Sequence, residues 1–199
     1  MPEQLRVLFN LAVFSGLRKG EMLALQWSDI NFENSTVSVT KAAAVVDGKQ
    51  VCKAPKTKNS RREVSIPRFL ADRLHYMMVE QTKTKESLSA YWKGNNWLFT
   101  QSDGSMMSYS TPYATFQDTI DRYNADREPA DQLPHIPFHG LRHTSATLLI
   151  AAHQDVRTVS NRLGHAQAST TMNIYAHALK ENDRTASNAL ENMLCKTEA

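Results

Sequence analysis

The run HGLRHTSATLL sets His139 and Arg142 three residues apart where a helical stretch begins, so their side chains share one face. An imidazole and a guanidinium aimed together from a helix N-terminus suit an anion, a phosphate above all, because the guanidinium is a planar fork of donors and the helix end is partially positive. A capping histidine beside a surface ion pair is the alternative. His143 is read as pointing away from that face, in a structural role. A second run, RLGHAQASTTMNIYAH, closes a helix at Gly164, follows it at once with His165, and carries Tyr175 ten residues on. Its rhythm also fits a helix-turn-helix DNA reader, and Ile174 and Tyr175 equally suit core packing with a hydroxyl at the rim. In SGLRKGEMLAL, Arg18 stands just beyond Gly16 with Glu21 three residues later; alone, such an arginine is an ordinary surface residue. Finally, APKTKNSRREVSIP crowds Lys56, Lys58, Arg61 and Arg62 into a turn that could enter a groove or lie over a phosphate.

The elements that must position these residues follow from periodicity and punctuation. Leu5, Val7, Leu8, Leu11, Ala12 and Phe14 recur at helical spacing from Pro2 to Phe14, with a stop near Gly16. A short helix over Arg18 to Gln26 follows, then a turn at Trp27 to Asp29. Three β-type runs, TVSVT at Thr36 to Thr40, AAVVDGKQVC with its Asp47-Gly48 hairpin signal, and REVSIP, predict a three-stranded antiparallel sheet. Further helices are expected over Phe69 to Ser87, over Ser110 to Asp126 with a Ser/Thr cap, over His139 to Ala152, over Asp155 to Leu163, over Ala168 to Tyr175 and over Lys180 to Leu194. Asn95 to Asp103 reads as a short strand and turn. Nothing rich enough in Gly, Ser or Pro divides the chain, so the fold class is mostly α with a small three-stranded antiparallel sheet (α+β), a single domain over 1–199.

Composition narrows the function classes. The chain has 199 residues with 41% apolar and 22% charged, as in ordinary globular proteins. No apolar run approaches the ~20 residues of a bilayer helix, and the N-terminus, with Glu3 before Arg6, does not read as a signal peptide. Cys52 and Cys195 allow at most one disulfide and fit no metal spacing. Net charge is only +3, yet Lys41 to Arg73 holds nine Lys/Arg against three acids. Such a concentration suits a phosphate backbone, and a solvated hairpin kept soluble by lysine accounts for it as well.

Taken in order, GLRKGE, the KTKNSRR hairpin, HGLRHTSAT, LGH and MNIYAH resemble the tyrosine recombinase (phage integrase) family, most closely integrases of phages and integrative conjugative elements. The resemblance spans nearly the whole chain and implies the tyrosine recombinase catalytic-domain fold. It further implies that the core-binding and arm-binding domains usual in the family are absent from this chain. By this resemblance Tyr175 is the nucleophile that forms a 3′-phosphotyrosyl bond, and Arg18 and Arg142 hold the non-bridging oxygens. His139 accepts or assists the tyrosine proton, His165 donates to a phosphate oxygen, and Lys56 protonates the departing 5′ oxygen. Glu21 braces the active-site arginine, while Lys58, Arg61 and Arg62 contact DNA further out.

The implied function is site-specific recombination, for integration or excision of a mobile element, without cofactor or metal. The implied partner is double-stranded DNA, on which the protein is a homotetramer and away from which it is a monomer, with accessory DNA-bending or excision factors and no membrane. The implied location is the bacterial cytoplasm, on the nucleoid when DNA-bound. Type IB topoisomerases share this chemistry but act as monomers without exchanging partners. A non-catalytic helix-turn-helix regulator would have no reason to combine Arg18, His139, Arg142, His165 and Tyr175.

Overall fold

The computed structural model describes residues 1–53 and 61–164, together with residues 187, 190 and 191, which are helical and exposed. Six helices are described: α1 (Glu3–Ser15), α2 (Lys19–Leu23), α3 (Arg68–Leu88), α4 (Thr111–Asn124), α5 (Gly140–Ala151) and α6 (Val156–Leu163). Five strands lie between α2 and α3: β1 (Ile30–Asn31), β2 (Thr36–Val39), β3 (Ala42–Val46), β4 (Lys49–Lys53) and β5 (Arg62–Ser65). The mostly helical fold with small antiparallel sheets agrees with the expectation from sequence. The helix expected over Ala168 to Tyr175 lies outside the described residues, as does that over Lys180 to Leu194 apart from Ser187, Leu190 and Glu191.

The three-stranded sheet is assembled differently from the sequence reading. Its order is β1-β2-β5, all antiparallel, with Val37 opposite Val64 and Val39 opposite Arg62. The Asp47-Gly48 run does turn a hairpin, both residues having positive φ as a tight two-residue turn demands, but β3 and β4 form a separate two-stranded sheet. The missed strand, β1, is only two residues long, too short for alternation to register. Between Asn95 and Asp103 only isolated bridges form, Gln26 with Trp97 and Thr100 with Met106. The Ser/Thr cap expected on α4 is absent: Ser110 has helical dihedrals and makes no capping bond, its hydroxyl instead meeting that of Ser108.

One hydrophobic core joins α1, α2, the three-stranded sheet and α3. From α1 it takes Leu5, Leu8, Leu11 and Ala12, the i, i+3, i+4 set that makes this helix amphipathic. Val37, Val39 and Val64 come from the sheet, and Leu70 and Leu74 from α3. Each such leucine contributes about 2 kcal/mol on burial. A second, smaller cluster, Ala146, Ile150, Val159 and Leu163, locks α5 to α6. Phe138 leans on Phe9 of α1 and Phe116 of α4, with ring centroids at 6.0 and 6.1 Å, which fixes the chain just before His139. These packings bring the start of α2, the start of α5 and the end of α6 together.

Candidate active site

Arg142, in the first turn of α5, is only 3% exposed. Its Nη1 donates to the Gly16 carbonyl and its Nη2 to that of Leu163, each at 2.6 Å. Both acceptors lie where a helix ends, where unpaired carbonyls concentrate negative charge and a buried guanidinium finds the partners it needs. Arg18 reaches the same place from α2. Its Nη2 donates to the Gly164 carbonyl at 3.1 Å, one residue beyond the Arg142 acceptor. The two arginines, 124 positions apart in the chain, thus converge on the adjacent carbonyls of Leu163 and Gly164.

Gly164 itself ends α6 in the left-handed region, with φ 66°. A Cβ there would stand 2.8 Å from Nη1 of Arg62, so backbone conformation and space both require glycine. His165 follows immediately in sequence but lies, like Lys56, Lys58 and Tyr175, outside the described residues.

Glu21 ties the arginines into one network. Its carboxylate accepts from Arg18 Nη1 at 2.9 Å and from the Arg18 backbone N–H at 2.8 Å. It also accepts from Arg62 through both terminal nitrogens, at 3.1 and 2.9 Å. Burial would push the Glu21 carboxyl up, but the Arg62 bonds and charge, with those of Arg18, outweigh it and leave the group below the usual carboxylate range. Glu21 is therefore ionised at neutral pH.

Arg62 departs from its expected place among the outer DNA contacts. Its side chain is 8% exposed, turned inward on Glu21, and its Nε donates to the Arg162 carbonyl at 2.8 Å. A signal for this was present in the sequence: in REVS, the alternation that buries Val64 turns Arg62 to the same side. Arg61, at the neighbouring position, is exposed. Arg162, which the sequence reading passed over, donates from Nη2 to the carbonyls of Phe14 and Ser65, fastening the end of α6 to α1 and β5.

His139 precedes α5 and makes no side-chain capping bond, which removes the capping-histidine alternative. It lines an open cleft of about 400 Å³ together with Arg18. Its pKa is lowered by burial first and then by the charges of His143, Arg142 and Arg18, so the imidazole is neutral at pH 7 and able to accept a proton. His143, expected to point elsewhere, packs edge-on against the His139 ring at 5.0 Å. The reason is helical: a spacing of four returns the side chain to nearly the same face.

A buried Arg142, an Arg18 fixed by Glu21 and Gly164, and a neutral imidazole beside the cleft that Arg18 lines can hold a phosphodiester and move a proton beside it. Among the described residues no His, Cys, Asp or Glu cluster could hold a metal ion, and no helix is long and apolar enough to cross a membrane.

The sequence model of the phage integrase family matches residues 1–182. A tyrosine recombinase XerC-like protein of Caldanaerobacter subterraneus subsp. tengcongensis is 32% identical over 96% of this chain and 50% of its own. The ICEBs1 integrase of Bacillus subtilis is 31% identical over 95% of this chain and 49% of its own. The chain thus spans about half the length of the curated relatives it matches. Among solved structures, the Tn1549 transposon integrase in complex with transposon right end DNA superposes with a TM-score of 0.76 at 22% identity, covering 94% of this chain and 58% of that one. The XerH site-specific recombinase bound to a palindromic difH substrate gives 0.60 at 24% identity, covering 93% and 45%. These structural likenesses establish the fold.

Proposed function

Because the chain belongs to the phage integrase family, we propose that it is the strand-cutting and rejoining part of a site-specific DNA recombinase that integrates or excises a mobile element. The observation carrying this reading is the convergence of Arg18 and Arg142 on adjacent carbonyls beside a neutral His139. Two fixed guanidinium groups hold the non-bridging oxygens of a DNA phosphate and stabilise the charge that gathers on them in the transition state. The Tyr175 hydroxyl attacks phosphorus, giving its proton to His139, while His165 donates to a phosphate oxygen. As the tyrosine–phosphorus bond forms, the bond to the 5′ oxygen breaks and Lys56 protonates the leaving oxygen. A 5′-hydroxyl from the exchanged strand then reverses these steps, so the bond energy is kept. Glu21 and Arg62 position Arg18; Lys58 and Arg61 lie on outer phosphates. On double-stranded DNA four copies assemble and cut in two pairs, and accessory DNA-bending or excision factors set the direction.

The test is covalent trapping. The chain is incubated with a pool of nicked duplexes of randomised sequence, which lets the 5′ end escape after cleavage. A denaturation-resistant protein–DNA adduct is expected, lost on Tyr175→Phe and retained in Tyr113→Phe and Tyr123→Phe. An adduct that persists in the Tyr175→Phe protein would reject this assignment.

A further inference from the structure

The cleft that holds Arg18 and His139 continues past them. It runs over Lys19, Tyr109 and Tyr113 into a second hollow, also about 400 Å³, whose far wall includes Gly48 and Gln50 of the β3–β4 hairpin. Either hollow is large enough for a nucleotide-sized group. Lys19 stands at the junction, its Nζ 3.9 Å above the centre of the Tyr109 ring. It is in no ion pair among the described residues, while its neighbour Arg18 is bonded to Glu21. Partial burial lowers its pKa, and no acid offsets that cost.

The Tyr109 platform is held firmly. Gln50 accepts from the Tyr109 backbone N–H at 2.8 Å and donates to the Met107 carbonyl at 2.9 Å, clamping this loop to the hairpin. Tyr113, on the first turn of α4, presents a 47% exposed ring across the same trough. A cation on an aromatic face, with a second ring beside it and an anion-binding site one residue away, has the chemistry of a nucleotide subsite: phosphate on the lysine, sugar and base on the rings.

We propose that the Lys19–Tyr109–Tyr113 trough binds the nucleotide adjoining the scissile phosphate, with Lys19 on the neighbouring phosphodiester. This rests on the recombinase reading, since it takes the strand through Arg18 and His139 as its starting point. It assigns Lys19 a fixed contact, distinct from the outer cations of the hairpin.

The experiment is lysine footprinting on the whole chain. An amine-acetylating reagent is applied with and without excess 30-base-pair duplex DNA at 50 mM salt, and each lysine is followed by mass spectrometry. Lys19 is expected to lose its reactivity at least ten-fold on adding DNA, while Lys83, paired with Glu80 on α3, keeps its own. Protection of Lys53 without protection of Lys19 overturns the subsite and leaves the DNA-acting reading standing. Protection of no lysine overturns both. As a second measurement, Lys19→Met should weaken duplex binding about ten-fold at 50 mM salt and reduce the salt slope of log K by about one, the loss of a single phosphate contact, with Lys19→Arg keeping the slope. A wild-type slope in Lys19→Met overturns the proposal.

Discussion

Arg62→Met is the most informative single perturbation, because it separates a structural cation from one that touches DNA. The substitution keeps much of the side chain's bulk and removes three donors, two on Glu21 and one on the Arg162 carbonyl. Glu21 is left with Arg18, whose side chain is 41% exposed, in place of a partner that is 8% exposed. Breaking one side of a buried pair costs about 3–5 kcal/mol. Since Arg18 and its backbone N–H remain on the carboxylate, the low end, about 3 kcal/mol, is expected. For a chain of this length that corresponds to a fall in Tm of about 6–12 °C.

The loss should depend on pH, with a sign set by Glu21. Its folded-state pKa lies below the ordinary value, so its ionised form stabilises the wild type in full above the unfolded value of about 4.3, and that contribution is lost as pH falls below it and on through the lower folded-state value. In Arg62→Met burial is opposed by one arginine fewer, and Glu21 takes up a proton more readily. The gap between the two proteins is therefore full at pH 7 and narrows towards pH 4. Urea denaturation at pH 7, 5.5 and 4 measures it. A gap that stays constant across that range would mean that packing, not charge, is what Arg62 supplies; no gap at all would refute the network. Covalent trapping on nicked DNA should also slow, on the order of 10²-fold, because Arg18 loses its brace and reacting groups tolerate little misplacement.

Other expectations concern groups within the proposed site. Arg142→Lys should fold less stably, by about 1–3 kcal/mol in thermal or chemical denaturation, since one ammonium cannot span the Gly16 and Leu163 carbonyls, and its cleavage rate should fall on the order of 10²–10³-fold. The cleavage rate of the wild type should fall on acidification only below pH 6.5, where His139 takes up a proton; His143→Glu, by placing a carboxylate against the ring, should move that limb to higher pH, and an unmoved limb would exclude His139 as its source. Lys56→Ala should cleave ordinary DNA very slowly yet cleave a 5′-bridging phosphorothiolate almost normally, because a thiolate leaves without a proton. Rescue of Lys58→Ala in its place would move the general acid two residues along.

What could be read from the sequence is what is encoded locally. Helix starts and stops at Pro2, Gly16, Asp155 and Gly164, the Asp47-Gly48 turn, and the sharing of a face by His139 and Arg142 all depend on neighbours within a turn or two. The sheet partners were not legible in the same way. β2 pairs with β5 across the whole hairpin, and not with β3, although β3 follows it directly in the chain. No spacing rule contains that information.

Arg62 is where the two kinds of information conflicted. A cluster of four cations in seven residues reads as solvated, and Arg61 is indeed exposed. The alternation with Val64 said otherwise, but it became decisive only with a buried anion for the guanidinium to meet, and Glu21 lies 41 positions away in a different element. A charge can turn into a protein interior only as part of a complete set, because burial of the carboxylate or of the guanidinium alone costs more than either bond returns. Glu21, Arg18 and Arg62 make such a set, and Gly164 leaves room for it against the α6 terminus. The same completeness gives the site its rigidity: Arg62 joins β5 to Glu21 of α2 and to the end of α6, and Arg18 cannot swing to follow solvent without breaking its bonds to Glu21 and Gly164. Under the proposed recombinase function, an arginine held in that way would meet a phosphate with its reorganisation already done, which is the condition under which electrostatic catalysis is most effective.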